Sequence, residues 1–142
     1  MSRTPSVTQS YPGSCHCGNV RFEVDLDLAA GGGKCNCSIC SKTRNWSASV
    51  KPEAFRQLSG DDAMVDYQFG SNSMHWPFCR VCGVRPYAHG DIPEMGGKFY
   101  TVQLACLDGV PAQVLADVPV QFANGRDDDW FHPPSEAERS YL

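Results

Sequence analysis

The sequence predicts a mainly β single domain with little helix, too irregular in its strand spacing for a sandwich or a barrel. Between Val20 and Leu28 apolar residues alternate strictly with polar and charged ones, the period of a half-buried strand. Shorter alternating runs recur along the chain, separated by Gly, Pro and Ser. Seven of the eight cysteines fall in three tight clusters, which random core cysteines would not do.

In chain order, residues 1–10 are rich in Ser and Thr and read as a flexible N-terminus. Residues 13–18, GSCHCG, form a turn-like knuckle. In the strand that follows, Val20, Phe22, Val24, Leu26 and Leu28 face the core, and Arg21, Glu23, Asp25 and Asp27 face water. Residues 29–33 are glycine-rich but lack the spacing and the Gly-Lys-Ser/Thr ending of a phosphate loop, so they read as a turn. Residues 34–40, KCNCSIC, are the second knuckle. Trp46, Ala48 and Val50 alternate with Ser47 and Ser49, which predicts a strand. Residues 52–58 read as one short helix, with proline in its first turn and Gly60 as its cap. Val65, Tyr67 and Phe69 alternate again, and residues 78–83, FCRVCG, are the third knuckle. Tyr100, Val102, Leu104 and Cys106 share one face of a further strand. Val118, Val120 and Phe122 predict another, which Pro119 assigns to a sheet edge. From Gly125 the chain turns acidic and reads as a loose tail.

Composition narrows the function. The chain has 142 residues, about one domain's worth. Its formal net charge of −4 argues against a nucleic-acid binder, since few phosphate counterions would be released. No apolar run approaches the roughly 18 residues that span a bilayer, so no membrane association is expected. The N-terminal stretch is polar and lacks the apolar h-region of a secretory leader. The expected compartment is therefore the reducing cytoplasm, where structural disulfides do not persist. The cysteines then bind metal, carry redox chemistry or lie free.

Spacing favours metal. Cys79-Arg80-Val81-Cys82-Gly83 offers two thiolates on one turn, and the following glycine lets the chain bend back. Cys15-His16-Cys17-Gly18 is a tighter pair with the same ending. Together they supply the four ligands of a closed structural zinc. Cys35, Cys37 and Cys40 supply three, and three protein ligands plus an open position is the pattern of a catalytic zinc. The partition is four plus three, hence two zinc ions per chain. Cys106, on the apolar face of a predicted strand, is read as a buried thiol. A second structural site with His75, His89 or Cys106 as fourth ligand stays open as an alternative, as does an iron–sulfur cluster. His16, His75, His89 and His132 carry no assigned role. Lys34, Lys42 and Arg44 flank the three-thiolate knuckle of an acidic chain. They offset the net negative charge of such a centre or hold the carboxylates of an anionic thiol, unless the loop is simply solvated.

GSCHCGNVRFEV, CNCSIC and FCRVCG, in that order and spacing, resemble the glutathione-dependent formaldehyde-activating (GFA) family, also called the CENP-V/GFA domain. Leu107-Asp108 and the Trp130 region resemble its C-terminal half. The resemblance spans residues 11–131, leaving 132–142 as a loose C-terminal tail. It implies a zinc-bound β-tent-like fold of several short antiparallel sheets with one short helix. It also implies that Cys15, Cys17, Cys79 and Cys82 hold the structural zinc and that Cys35, Cys37 and Cys40 hold the catalytic one. The activity it implies is a carbon–sulfur lyase of S-(hydroxymethyl)glutathione synthase type, with glutathione or a similar small thiol and formaldehyde or a similar aldehyde as partners. From adjacency, Lys42 and Arg44 would orient the thiol's carboxylates and Trp46 would wall the pocket. The rival reading is a zinc-stabilised protein-binding module with no catalysis. The sequence leaves the oligomeric state open.

Overall fold

A computed structural model describes residues 7–142. The strands are β1 (Gln9–Ser14), β2 (Arg21–Leu26), β3 (Gly32–Cys35), β4 (Trp46–Val50), β5 (Phe55–Ser59) and β6 (Met64–Val65). They continue with β7 (Met74–His75), β8 (Phe78–Cys79), β9 (Tyr87–Ile92), β10 (Gly97–Gln103) and β11 (Val120–Ala123). Three short helices interrupt them: α1 (Ser38–Thr43), α2 (Ala112–Ala116) and α3 (Glu136–Arg139). The strands form several sheets, and none closes into a barrel.

Alternation sets the first sheet, ordered β1-β2-β5 and antiparallel throughout. Phe22, Val24 and Leu26 are buried, and the intervening Arg21, Glu23 and Asp25 are turned toward water. On that wet face Arg56 lies opposite Glu23 in register and reaches Glu23 at 2.8 Å and Asp25 at 2.7 Å. On the inner face Phe22 stacks on Phe55 at 5.5 Å, and Phe55 stacks on Tyr100 of β10 at 4.1 Å. Aromatic stacking thus joins the first sheet to the second. Val20, Phe22, Val24, Val102 and Leu104 are fully buried at this junction. Each such side chain contributes about 1.5–3 kcal/mol by leaving water. That burial, rather than any helix, holds the layers together.

The second sheet runs β11-β3-β4-β10-β9-β7, antiparallel except where β11 lies parallel to β3. Its core side carries Trp46, Ala48, Val50, Tyr100 and Val102. On the other side Ser47, Ser49 and Thr101 line a cleft of about 780 Å³. The third sheet is the antiparallel pair β6–β8, which sets Cys79 opposite Met64 and buries it in the main core.

The mainly β class stands, as do the strand through Val24, the strand through Ala48 and the edge placement of Val120. Several local expectations give way. Residues 52–58 are not a helix: Pro52–Ala54 is a single 3₁₀ turn, and Phe55 opens β5. Pairing with β2 and stacking between Phe22 and Tyr100 override the local helix signals. The short helices lie elsewhere, α1 within the second knuckle. Of the glycine-rich turn, only the first part turns, and Gly32 and Gly33 enter β3. The strand toward Cys106 stops at Gln103, and Leu104–Cys106 is a 3₁₀ turn. Of the run at Val65, Tyr67 and Phe69, only Val65 is in a strand.

Of the N-terminal segment expected to be flexible, residues 1–6 lie outside the described residues, while Gln9 and Ser10 pair with Leu26 and Asp25. At the other end, the residues after 131 make specific contacts. Leu142 is buried, its main-chain oxygen accepts from Lys34 Nζ at 2.9 Å, and Glu138 accepts from Asn36.

Candidate functional site

The four-cysteine cluster is built by two turns. Cys15 follows β1, and Cys17 lies two residues on, where Gly18 at φ +84° lets the chain turn back into β2. Cys79 ends β8, and Cys82 lies in the next turn, closed by Gly83 at φ +79° with its amide on the Cys79 oxygen at 2.7 Å. The sulfurs of Cys15, Cys17, Cys79 and Cys82 all lie within 4.8 Å of one another. Two of the separations, Cys15–Cys17 and Cys17–Cys79, are 3.6 Å. Four thiolates at the usual Zn–S distance in a tetrahedron stand about 3.8 Å apart, so the set fits such an ion. Amides already serve the sulfurs: Val20 N–H donates to Cys15 Sγ at 3.3 Å. The Val84 and Cys17 amides hold the Cys82 thiol down to about 6.

The three-cysteine cluster is built by a strand end and a helix start. Cys35 closes β3, Cys37 is the residue before α1, and Cys40 lies in its first turn. The helix therefore presents Cys37 and Cys40, three residues apart, on one face. The three sulfurs lie within 4.8 Å of one another, and no fourth Cys, His, Asp or Glu joins them among the described residues. Hydrogen bonds from the Cys37 and Cys40 thiols draw Cys35 down to about 2, while Cys40 is pushed up by the same crowding and by burial. Only a cation allows all three to be thiolates together, so this donor set fits a metal as well.

Neighbouring residues fix the cluster. Asn36, fully buried between two of the cysteines, donates through Nδ2 to Asn124 Oδ1 at 2.8 Å and to Glu138 Oε2 at 2.7 Å. Its Oδ1 accepts from the Arg126 amide at 3.0 Å. A Cβ at Gly125 would come within 2.7 Å of Cys35 Sγ and 2.9 Å of the Trp130 ring, so only glycine fits there. Cys40 shares a small apolar cluster with Trp76 and Ala88. Arg85 covers the Trp76 ring at 5.6 Å, where burial lowers its pKa and the nearby Cys40 partly opposes that shift.

Two openings meet at Cys37. One is the cleft over the second sheet, lined near the cysteines by Met74, Trp76 and Trp130. The other is a pocket of about 530 Å³ lined by Cys37, Ser38, Ser41, Lys42, Gly125 and Arg126.

The seven clustered cysteines are thus brought together as four and three, and Cys106 joins neither group. Burial pushes the Cys106 thiol up to about 11. His16 is exposed, and His75 pairs with Asp66 at 2.6 Å and stacks on His89, so these histidines ligate neither cluster. Lys42 lines the smaller pocket, but Arg44 is the exposed residue ending α1 and lines neither opening. Trp46 packs against the main core, while Trp76 and Trp130 stand at the cleft. Sequence reasoning missed Asn36, Arg85, Gly125 and Arg126. Asn36 was detectable as the residue between two candidate ligands, whereas Arg126 approaches it only through folding.

Residues 10–123 match the family described as glutathione-dependent formaldehyde-activating enzyme. The chain is also similar to a Rhodobacter sphaeroides protein of known crystal structure. The two are 32% identical and align with a TM-score of 0.66, over 78% of this chain and 99% of that one. A family match over most of the chain, with both cysteine clusters inside it, places this protein in the glutathione-dependent formaldehyde-activating enzyme family.

Proposed function

We propose that the protein is a zinc-dependent enzyme of carbon–sulfur lyase type, joining or separating a small thiol such as glutathione and a small aldehyde such as formaldehyde. Family membership supports glutathione-dependent formaldehyde activation in general. The observation that carries the finer reading is the three-sulfur cluster of Cys35, Cys37 and Cys40, which has no fourth donor among the described residues and borders an open cleft. In this reading Cys15, Cys17, Cys79 and Cys82 hold a structural zinc, and Cys35, Cys37 and Cys40 hold a catalytic one, in a cytoplasmic protein. The reaction adds a thiol S–H across an aldehyde C=O: sulfur bonds to carbon, and the proton ends on oxygen.

When bound, zinc supplies a Lewis acid that makes a thiol a thiolate at neutral pH. The protein's own residues do the rest. The Gly125 amide and the Cys37 amide, the latter at 3.4 Å, donate to Cys35 Sγ and hold it ionised. Trp76 and Met74 wall the cleft and keep water from one side of the cluster. Arg85 and Lys42 offset the negative charge of three thiolates.

The test follows ¹³C-formaldehyde and glutathione by NMR exchange spectroscopy with zinc-loaded protein. The reading expects the exchange with S-(hydroxymethyl)glutathione to accelerate at least tenfold, and Cys37→Ser to abolish the acceleration. An uncatalysed rate with both sites loaded would instead favour the protein-binding module.

A further inference from the structure

Arg126 is held at the mouth of the three-cysteine centre by its neighbours. Its amide donates to Asn36 Oδ1 at 3.0 Å, and its Nε donates to the Asn36 main-chain oxygen at 3.2 Å. Because Asn36 is fully buried, this end of the side chain has a rigid anchor. Arg126 lines the pocket shared with Cys37, Ser38, Ser41 and Lys42.

Three aspartates follow Arg126 directly, and each is engaged elsewhere. Asp127 accepts from Asn124 Nδ2 at 3.1 Å, and Asp128 accepts from Trp130 Nε1 at 2.7 Å. Asp129 takes His132 and the Phe131 amide. Glu138 is held by Asn36 and Ser135. Among the described residues no carboxylate forms an ion pair with Arg126 or Lys42. In an acidic chain, two cations without an ion-pair partner among the described residues are thus gathered around one thiol, beside two hydroxyls, of which that of Ser41 donates to the Ser38 main-chain oxygen at 3.4 Å. A planar guanidinium fixed at one edge suits a carboxylate held through two parallel hydrogen bonds.

We propose that Arg126, with Lys42, Ser38 and Ser41, forms a carboxylate-binding subsite beside Cys37 that selects anionic thiols over uncharged ones. This rests on the reading of Cys35, Cys37 and Cys40 as a thiol-accepting centre. Arg126 takes the role that sequence adjacency gives to Arg44.

The test is isothermal titration calorimetry on the zinc-loaded full chain with four ligands. These are glutathione, its diethyl ester (carboxylates capped), S-methylglutathione (thiol capped) and 2-mercaptoethanol. The wild type should bind glutathione at least tenfold more tightly than the ester, and should bind S-methylglutathione saturably. Arg126→Met should weaken glutathione and S-methylglutathione at least tenfold while leaving 2-mercaptoethanol within twofold, and Arg126→Lys should recover part of the loss. Equal affinity of the wild type for acid and ester, or no saturable binding of S-methylglutathione, overturns the subsite even if no variant folds. So does an equal loss for all thiols in Arg126→Met, which would mean a collapsed centre. Arg126-dependent binding of S-methylglutathione without any glutathione–formaldehyde turnover leaves the subsite standing and removes the lyase reading.

Discussion

Arg126 Nε donates to the main-chain oxygen of Asn36 at 3.2 Å, tying the residue between Cys35 and Cys37 to a segment 90 positions further along the chain. The three-cysteine loop is therefore not a self-supporting knuckle. It is held from the C-terminal side by Arg126, Asn124 and Glu138, all converging on one buried amide side chain. The four-cysteine cluster is supported differently, by turn amides and by the burial of Cys15 and Cys79 in the main core. Variants should separate the two clusters.

Asn36→Ala removes the partner of Asn124, Glu138 and the Arg126 amide at a fully buried position. Leaving such groups unsatisfied costs about 1–3 kcal/mol. Denaturant unfolding of the metal-loaded variant should show that loss. A change below about 0.5 kcal/mol, the level of an ordinary surface substitution, would mean the network carries little.

Gly125→Ala places a methyl group 2.7 Å from Cys35 Sγ. The expected outcome is at least tenfold weaker metal retention at the three-cysteine cluster with the other cluster unaffected. Competition with a graded series of chelators reads both sites in one experiment, and two unchanged affinities would contradict the geometry.

Cys79→Ser and Cys37→Ser should differ in kind. Cys79 is fully buried in the main core, so losing its cluster should unfold the domain, because metal binding there is folding free energy. Cys37→Ser should keep cooperative unfolding and lose one metal ion. Thermal melts beside elemental analysis distinguish the outcomes; a Cys79→Ser protein with wild-type stability would rule out the structural assignment.

The Arg56 guanidinium and the Ser10 hydroxyl lower Asp25 from 3.8 to about 2. The folded pKa lies below the unfolded one, so the stabilisation is fully present above about pH 4 and is lost as pH falls toward 2. Arg56→Met should remove this part of the acid dependence. Since metal ligands also protonate in acid, the readout is the difference between wild type and variant, which should shrink as pH falls from about 5 to about 2. A difference independent of pH would show that Arg56 acts by packing alone.

Residues whose chemistry is local were readable in the sequence. Val20 to Leu26 alternate because one side of a strand is buried, and the cysteine pairs announce themselves by spacing. Phe55 reads as helical in the sequence because its strand identity comes from Phe22 and Tyr100, which lie far away in the chain. β9 escaped because Gly90 weakens its pattern, yet that glycine is what lets Met74 approach: a Cβ there would stand 2.4 Å from Met74 Sδ. The cysteine groupings followed from ligand counting alone. The polar side of the site did not, because Arg126 reaches Cys37 only through a buried asparagine.

In the proposed function the three-cysteine centre accepts a thiol while the four-cysteine centre is closed. Metal content per chain, measured on purified protein resupplied with zinc and then exposed to millimolar glutathione, tests it most directly. Two zinc ions are expected, one of them labile or perturbed by glutathione and missing in Cys37→Ser. Two tightly held ions indifferent to glutathione, or an unchanged zinc content in Cys37→Ser, would contradict it.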